Sequence, residues 1–101
     1  MRMLLEFQFP LEPFNTYIKD GTAGAKIGHV LDEIKPEHVY FTEHDGRRGG
    51  IAIVEVATAS DIPRLAEPFF LIFHAQVEFR IAMTPEDLAK AHLDVLAKEW
   101  I

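Results

Sequence analysis

The chain contains no cysteine, which excludes disulfide bonds and thiolate chemistry. Basic residues are also few: 10 Lys and Arg stand against 16 Asp and Glu, giving a net charge of −6. Binding to a nucleic-acid backbone or an anionic membrane needs clustered basic residues, so we expect neither partner. The longest apolar run, 69–73, is far below the roughly 18 residues of a membrane span. We therefore expect a soluble, cytoplasmic protein.

What the sequence does have is apolar content sufficient for one core. Hydrophobic residues make up 49% of the 101 positions and aromatic residues 11%. A chain of this length typically forms one domain, and we expect a single domain over residues 1–101. The aromatic share is high enough to suggest that some apolar surface serves a partner.

Four segments carry strand patterns, either a period-two alternation of apolar residues or an enrichment in Val, Tyr, Phe and Thr. They cover residues 3–9, 38–43, 51–57 and 75–82. Asp45-Gly46 stands between the second and third segments and is typical of a hairpin turn. The second and third strands are therefore predicted to be antiparallel.

Helical spacing of apolar residues connects these strands. The segment 13–34 predicts a helix that is broken at 21–24 by glycines. A short helix is predicted after Ser60, and Pro68 is expected to kink or end it. A last helix is predicted over 84–99, because its first residues are Thr-Pro-Glu-Asp, a capping sequence.

The resulting order, βαββαβ plus a C-terminal helix over 84–101, predicts an α+β, ferredoxin-like antiparallel sheet with strand order 4-1-3-2. A doubly wound parallel sheet is the alternative with the same elements, and the predicted hairpin argues against it. Helices on one side would leave the other face of the sheet open. Six residues of the first and fourth strands are assigned to this open face: Leu4, Glu6, Gln8, Gln76, Glu78 and Arg80. Residues 51–57 are apolar in both alternating sets, so the side of the third strand that faces the helices stays undecided.

The element order, the length and the run Met83-Thr84-Pro85-Glu86-Asp87-Leu88 after the last strand resemble the dimeric α/β-barrel superfamily. The resemblance covers roughly residues 2–83 and is strongest to short members of unknown function, related to muconolactone-isomerase-like and stress-responsive barrel domains. It implies a homodimer in which two sheets pack face to face and enclose a barrel. It also implies that a small organic molecule binds inside the barrel or at its mouth.

Three glutamates, Glu6, Glu55 and Glu78, lie on strands that would be neighbours in this sheet. If they share the open face, they form a carboxylate cluster with Arg80 beside it, and carboxylates in such a setting act as general acids or bases. Glu6 and Glu78 are the predicted catalytic residues. The predicted substrate-binding residues are Gln8, Glu55, His74, Gln76 and Arg80. The alternative interpretation is a structural ion-pair network at a subunit interface.

No cofactor or metal is expected. The five histidines are scattered, and none forms a pair at the helical spacing that metal sites use. Arg47-Arg48 either holds an anionic substrate group at the barrel mouth or forms a solvated hairpin tip. The run 69–73 either meets a partner or pocket, or is a buried connection.

Two functions are therefore open at this stage. The first is a homodimer that binds a small organic molecule, with cofactor-free proton transfer of an isomerase-like kind if it is an enzyme. The second is a non-catalytic assembly or ligand-sensing module whose polar interior serves dimerisation.

Overall fold

A computed structural model describes residues 1–101 and contains one four-stranded sheet. Its strands are β1 (Arg2–Gln8), β2 (His38–His44), β3 (Arg47–Glu55) and β4 (Gln76–Ile81). The order across the sheet is β2-β3-β1-β4, and all three pairings are antiparallel. The predicted ferredoxin-like topology is confirmed, and the doubly wound alternative is wrong.

Five helices accompany the sheet: α1 (Leu11–Asp20), α2 (Ala23–Ile34), α3 (Asp61–Phe73), α4 (Pro85–Lys90) and α5 (Leu93–Glu99). The predicted break between the first two is confirmed. Gly21 ends α1 with a φ of 79°, a left-handed conformation that glycine adopts without steric cost. Its amide donates to the carbonyl oxygen of Ile18, which caps the helix.

The core lies between one face of the sheet and the first three helices. The β1 residues Leu5 and Phe7 pair with Ala52 and Gly50 of β3, and all four are buried. This register settles the orientation of β3: its smaller apolar residues face the helices, whereas Ile51, Ile53 and Glu55 face the other way.

Helix α3 does not end at Pro68 but continues to Phe73, so the prediction that the proline could end it is wrong. Phe69 and Phe73 lie four residues apart on one helical face and are 2% and 1% exposed. We attribute the continuation to this aromatic burial, which offsets the backbone hydrogen bond that proline removes. The run 69–73 is thus divided: two rings enter the core, and Leu71 is 74% exposed.

The predicted last helix is two short helices, separated at Ala91–His92, where His92 has a φ of 52°. The predicted cap is confirmed, since Thr84 and Asp87 exchange side-chain-to-backbone hydrogen bonds of 3.1 and 3.0 Å. Residues 84–101, here called the C-terminal arm, bury no side chain. None of the five helices combines the length and the apolar character needed to cross a membrane.

Candidate functional site

The uncovered face of the sheet carries a three-residue ionic cluster. Glu6 of β1 stands directly opposite Glu78 of β4, and Arg80 stands one pleat further along β4 on the same face. The Arg80 guanidinium donates through Nη1 to Oε1 of Glu6 at 2.8 Å and through Nη2 to Oε2 of Glu78 at 3.3 Å. Two carboxylates and one guanidinium thus meet at one point of the sheet, as the sequence predicts for these three residues.

A cavity of about 260 Å³ adjoins this cluster. Side chains or backbone from all four strands line it: Glu6, Phe7, Gln8, Thr42, His44, Gly50, Ile51, Gln76, Glu78 and Arg80. Gln8 and Gln76 are directly paired across β1 and β4, and both line the cavity. The lining is therefore rich in hydrogen-bonding groups, with two carboxylates at one end.

Thr42 and His44 of β2 also line the cavity, although neither is among the residues predicted from the sequence. Gln8 reaches across to this strand, where its Nε2 donates to the carbonyl oxygen of His44 at 3.2 Å. In the register, Gly49 of β3 lies between Gln8 of β1 and Thr42 of β2, and it has no side chain to block the reach of Gln8 towards β2. The period of two along 38–44 together with Gly49 is the sequence signal that identifies this contribution.

Two predicted binding residues lie elsewhere. Glu55 of β3 pairs with Arg2, whereas Glu6 pairs with Ile51, so four residues, or about 13 Å of strand, separate Glu55 from the position beside Glu6. Glu55 instead accepts a hydrogen bond from the Met1 amino group at 2.5 Å. The predicted cluster of three glutamates therefore contains two.

His74 is likewise not among the residues that line the cavity. It ends α3 in the left-handed conformation, with a φ of 55°, and its amide donates to the Phe70 carbonyl oxygen. His74 precedes β4 by two residues, and its backbone conformation serves the turn between helix and strand.

The two arginines of the hairpin diverge. Arg47 pairs with His44 on the uncovered face, whereas Arg48 belongs to the helix side, where it donates to Asn15 at 2.8 Å. The Arg48 guanidinium lies 4.8 Å from the centre of the Phe14 ring, a cation–π distance. Arg48 is therefore held by α1 and does not face the cavity.

The chemistry of the cluster follows from its charges. Two carboxylates against one guanidinium leave a net charge of −1, and the site offers more hydrogen-bond acceptors than cations. Such a site favours a neutral ligand that donates hydrogen bonds over an anionic ligand. Glu6 is the more shielded carboxylate, with its side chain 24% exposed against 68% for Glu78. No group of three metal-ligating side chains converges anywhere in the chain.

Comparison with known proteins gives a fold and no family. No family model and no curated protein matches the chain. Among solved structures, it is similar to 5-chloro-2-hydroxyhydroquinone dehydrochlorinase (TftG) from Burkholderia phenoliruptrix AC1100, whose structure is a complex with 2,5-dihydroxybenzoquinone. The sequences are 18% identical, the alignment covers 86% of this chain and 99% of that one, and the TM-score is 0.55. The chain thus has the α+β, ferredoxin-like fold of that enzyme.

Proposed function

We propose that two copies of this chain pair through their uncovered sheet faces and bind a small organic molecule in the enclosed barrel. The observation that carries this proposal is the Glu6–Arg80–Glu78 cluster beside a cavity of about 260 Å³ on a face that no helix covers. The same face carries Leu4, Ile51, Ile53 and Tyr40, apolar residues that pairing would remove from water. Burial of the cluster would strengthen its electrostatic effect on a ligand.

The ligand class that fits is a small, neutral ring compound with hydroxyl groups. Hydroxyl protons can be donated to Glu6 or Glu78, and the side-chain amides of Gln8 and Gln76 can donate to carbonyl oxygens. The similarity in fold to an enzyme named for a chlorinated hydroxyhydroquinone supports hydroxylated hydroquinones, which are neutral near pH 7, as first probes.

The reaction that the cluster supports is cofactor-free proton transfer, as in an isomerase-like reaction. Glu78, bonded to Arg80 at the longer distance of 3.3 Å, is the proposed base that takes a proton from carbon beside a carbonyl group. Arg80 then stabilises the negative charge that develops on the enolate oxygen. The proton on Glu78 exchanges with solvent, and its delivery to another carbon completes an isomerisation, while Glu6 keeps Arg80 in position.

The second candidate function is a non-catalytic assembly or ligand-sensing module. It is favoured by one observation, namely that Arg80 already engages both carboxylates in the single subunit. In this case the cluster only satisfies charges within the subunit interface.

Glu6→Gln and Glu78→Gln separate the two functions. Hydroxylated hydroquinones and neutral unsaturated lactones are screened by thermal shift, and transfer of solvent deuterium into a compound that binds is then followed by NMR. The catalytic proposal expects Glu78→Gln to slow exchange by about 10²- to 10⁴-fold while the dimer stays intact and at least equally stable. Glu67→Gln, an exposed change on α3, is the matched control and leaves exchange unchanged.

Loss of the dimer in Glu6→Gln or Glu78→Gln, with no exchange in the unmodified protein, supports the assembly role. Exchange that proceeds equally fast in Glu78→Gln contradicts the assignment of Glu78 as the base.

A further inference from the structure

The C-terminal arm is an apolar surface with no partner in its own subunit. Its large hydrophobic residues are between 44% and 102% exposed: Leu88, Leu93, Val95, Leu96, Trp100 and Ile101. Helices α4 and α5 have six and seven residues, and isolated helices shorter than about 12 residues are marginal in water. The arm therefore needs a partner surface to stay helical.

The arm extends away from the sheet and helices of its own subunit. The molecule measures 60 × 28 × 19 Å with a radius of gyration of 17.1 Å, whereas about 13 Å is typical of a compact chain of this length. The arm follows the end of β4 that pairs with Met3, and the β2–β3 hairpin lies at the opposite end of the sheet. Surfaces near the hairpin are consequently remote from the start of the arm.

A groove of about 480 Å³ lies beside that hairpin, mostly on the helix side of β2, and Arg47 borders it from the uncovered face near the turn. We call it the hairpin groove, and its main lining residues are Phe9, Phe14, Ile27, Phe41, Glu43, Arg47 and Arg48. Phe41 is 53% exposed although it lies on the helix side of the sheet. Neither arginine forms an ion pair with a carboxylate within the subunit. The groove thus combines an apolar, aromatic wall with two arginines against one carboxylate, Glu43, which stands opposite Arg48 in the register.

The arm has the complementary character. It has two lysines against four carboxylates, which are Glu86, Asp87, Asp94 and Glu99, next to its apolar residues. Trp100 alone removes roughly 150–250 Å² from water when buried, and a stable interface needs about 800 Å² per partner. Six large apolar residues per arm, exchanged in both directions by a two-fold axis, reach that scale.

We propose that the C-terminal arm of one copy docks in the hairpin groove of a second copy, and reciprocally. This inference rests on the proposed pairing of sheet faces, in the arrangement that sets β4 of one copy beside β2 of the other. The arm then continues from β4 past the partner's edge strand β2 and reaches the groove on its helix side. Trp100 and its apolar neighbours contact the aromatic wall, and the acidic residues of the arm approach Arg47 and Arg48.

Trp100 is the only tryptophan in the chain, so its fluorescence reports the environment of the arm directly. The protein is diluted through the dimer dissociation range, and acrylamide quenching of Trp100 is measured together with the sedimentation coefficient. Docking predicts a blue-shifted emission and a several-fold loss of quenching that follow the dimer fraction. Arg48→Glu is expected to restore quenching and to weaken the dimer about tenfold, whereas Lys19→Glu, with the same charge change on α1, has neither effect.

A mixing experiment tests whether the contact is between copies. Trp100→Ala has no tryptophan signal but an intact groove, and Arg48→Glu keeps Trp100 but has an altered groove. Adding the former to the latter should protect Trp100 again, because one arm then finds one intact groove. Phe41→Ser replaces Arg48→Glu as the groove variant if the charge change impairs folding.

Each other result overturns the proposal. A dimer in which Trp100 stays quenchable contradicts arm docking and leaves the pairing of sheet faces intact. Protection of Trp100 from acrylamide in the monomer places the arm on its own subunit. A chain that remains monomeric at all concentrations overturns both the docking and the proposed barrel.

Discussion

Gly50 of the inner strand β3 allows the edge strand β2 and the ring of Phe7 to approach its backbone closely. A Cβ atom built on Gly50 would lie 2.5 Å from Cζ of Phe7 and 2.5 Å from the backbone oxygen of Tyr40. Neither neighbour can retreat easily, since Phe7 stacks on Phe69 at 4.8 Å and Tyr40 belongs to β2. We predict that Gly50→Ala lowers the free energy of unfolding by roughly 1–3 kcal/mol, measured by urea denaturation.

The matched control is Gly28→Ala. Gly28 lies inside α2, and no atom outside its helix would be within 4 Å of an added Cβ. Alanine at this position should stabilise the protein by about 0.5–1 kcal/mol, because glycine has the poorer helix propensity. An equal loss of stability in both variants contradicts the steric explanation for Gly50.

Asp61 gives a pH-dependent contribution to stability. Hydrogen bonds from the amides of Ala57 and Thr58, of 2.9 and 3.3 Å, hold the pKa of Asp61 below its ordinary value of 3.8. Because the folded pKa is the lower one, the contribution is complete above the unfolded pKa and disappears as pH falls through the folded pKa.

We therefore predict that Asp61→Ala lowers the melting temperature at neutral pH and that the difference from the unmodified protein vanishes in strong acid. Melting curves by circular dichroism from neutral pH to below 3.8 measure this. Asp32→Ala, at an exposed position of α2, is the comparison and should leave the melting temperature at neutral pH nearly unchanged. A constant difference at all pH values is incompatible with the hydrogen-bonded carboxylate.

At the scale of the element, α3 is held by its buried rings. Phe73 lies 4.9 Å from the ring of Phe9, 5.6 Å from Phe14 and 6.0 Å from Tyr17. We predict that Phe73→Ala costs about 3–5 kcal/mol in unfolding free energy, and urea titration measures the loss. The control Leu71→Gln, at a residue that is 74% exposed, should stay within about 0.5 kcal/mol. A large loss for Leu71→Gln would instead place that residue in an interface.

The same helix shows what its sequence could and could not predict. Strands, hairpin and helix caps depend on local signals, and these predicted the order β2-β3-β1-β4. The passage of α3 through Pro68 depends on the packing of Phe69 and Phe73, which are remote from Phe9 and Phe14 in sequence. The break of the last helix at His92 has no proline or glycine to signal it.

For the site, prediction was limited by strand register. Period-two patterns placed Glu6, Glu78 and Arg80 on one face, but they do not determine how far one strand slides along another. The register that pairs Glu6 with Ile51 moves Glu55 away and brings His44 towards Gln8. Long-range pairing, rather than composition, therefore decides which polar residues meet.

At the scale of the whole molecule, the single subunit leaves much apolar surface in water. Only 17 of its 101 residues are buried, and the uncovered sheet face and the C-terminal arm hold apolar side chains that are partly or fully exposed. The strand β4 contributes to the uncovered sheet face, and the C-terminal arm follows β4 directly in the chain. Pairing by the sheet and exchange of the arm would thus stabilise the same dimer.

The proposed pairing of sheet faces leads to a last prediction, at Ile53. Ile53 stands between Leu4 and His38 on the uncovered face. In the dimer, Ile53→Arg places an unpaired charge in an apolar contact, and we expect the dissociation constant to rise at least about 100-fold, corresponding to roughly 3 kcal/mol. Sedimentation velocity at micromolar concentration measures the change. Ile18→Arg, at a residue of α1 that is 54% exposed, is the control and should leave the dimer intact. If Ile53→Arg dimerises as well as the unmodified chain, the face that bears the Glu6–Arg80–Glu78 cluster is open to water, and its carboxylates act without the enclosure that the barrel would provide.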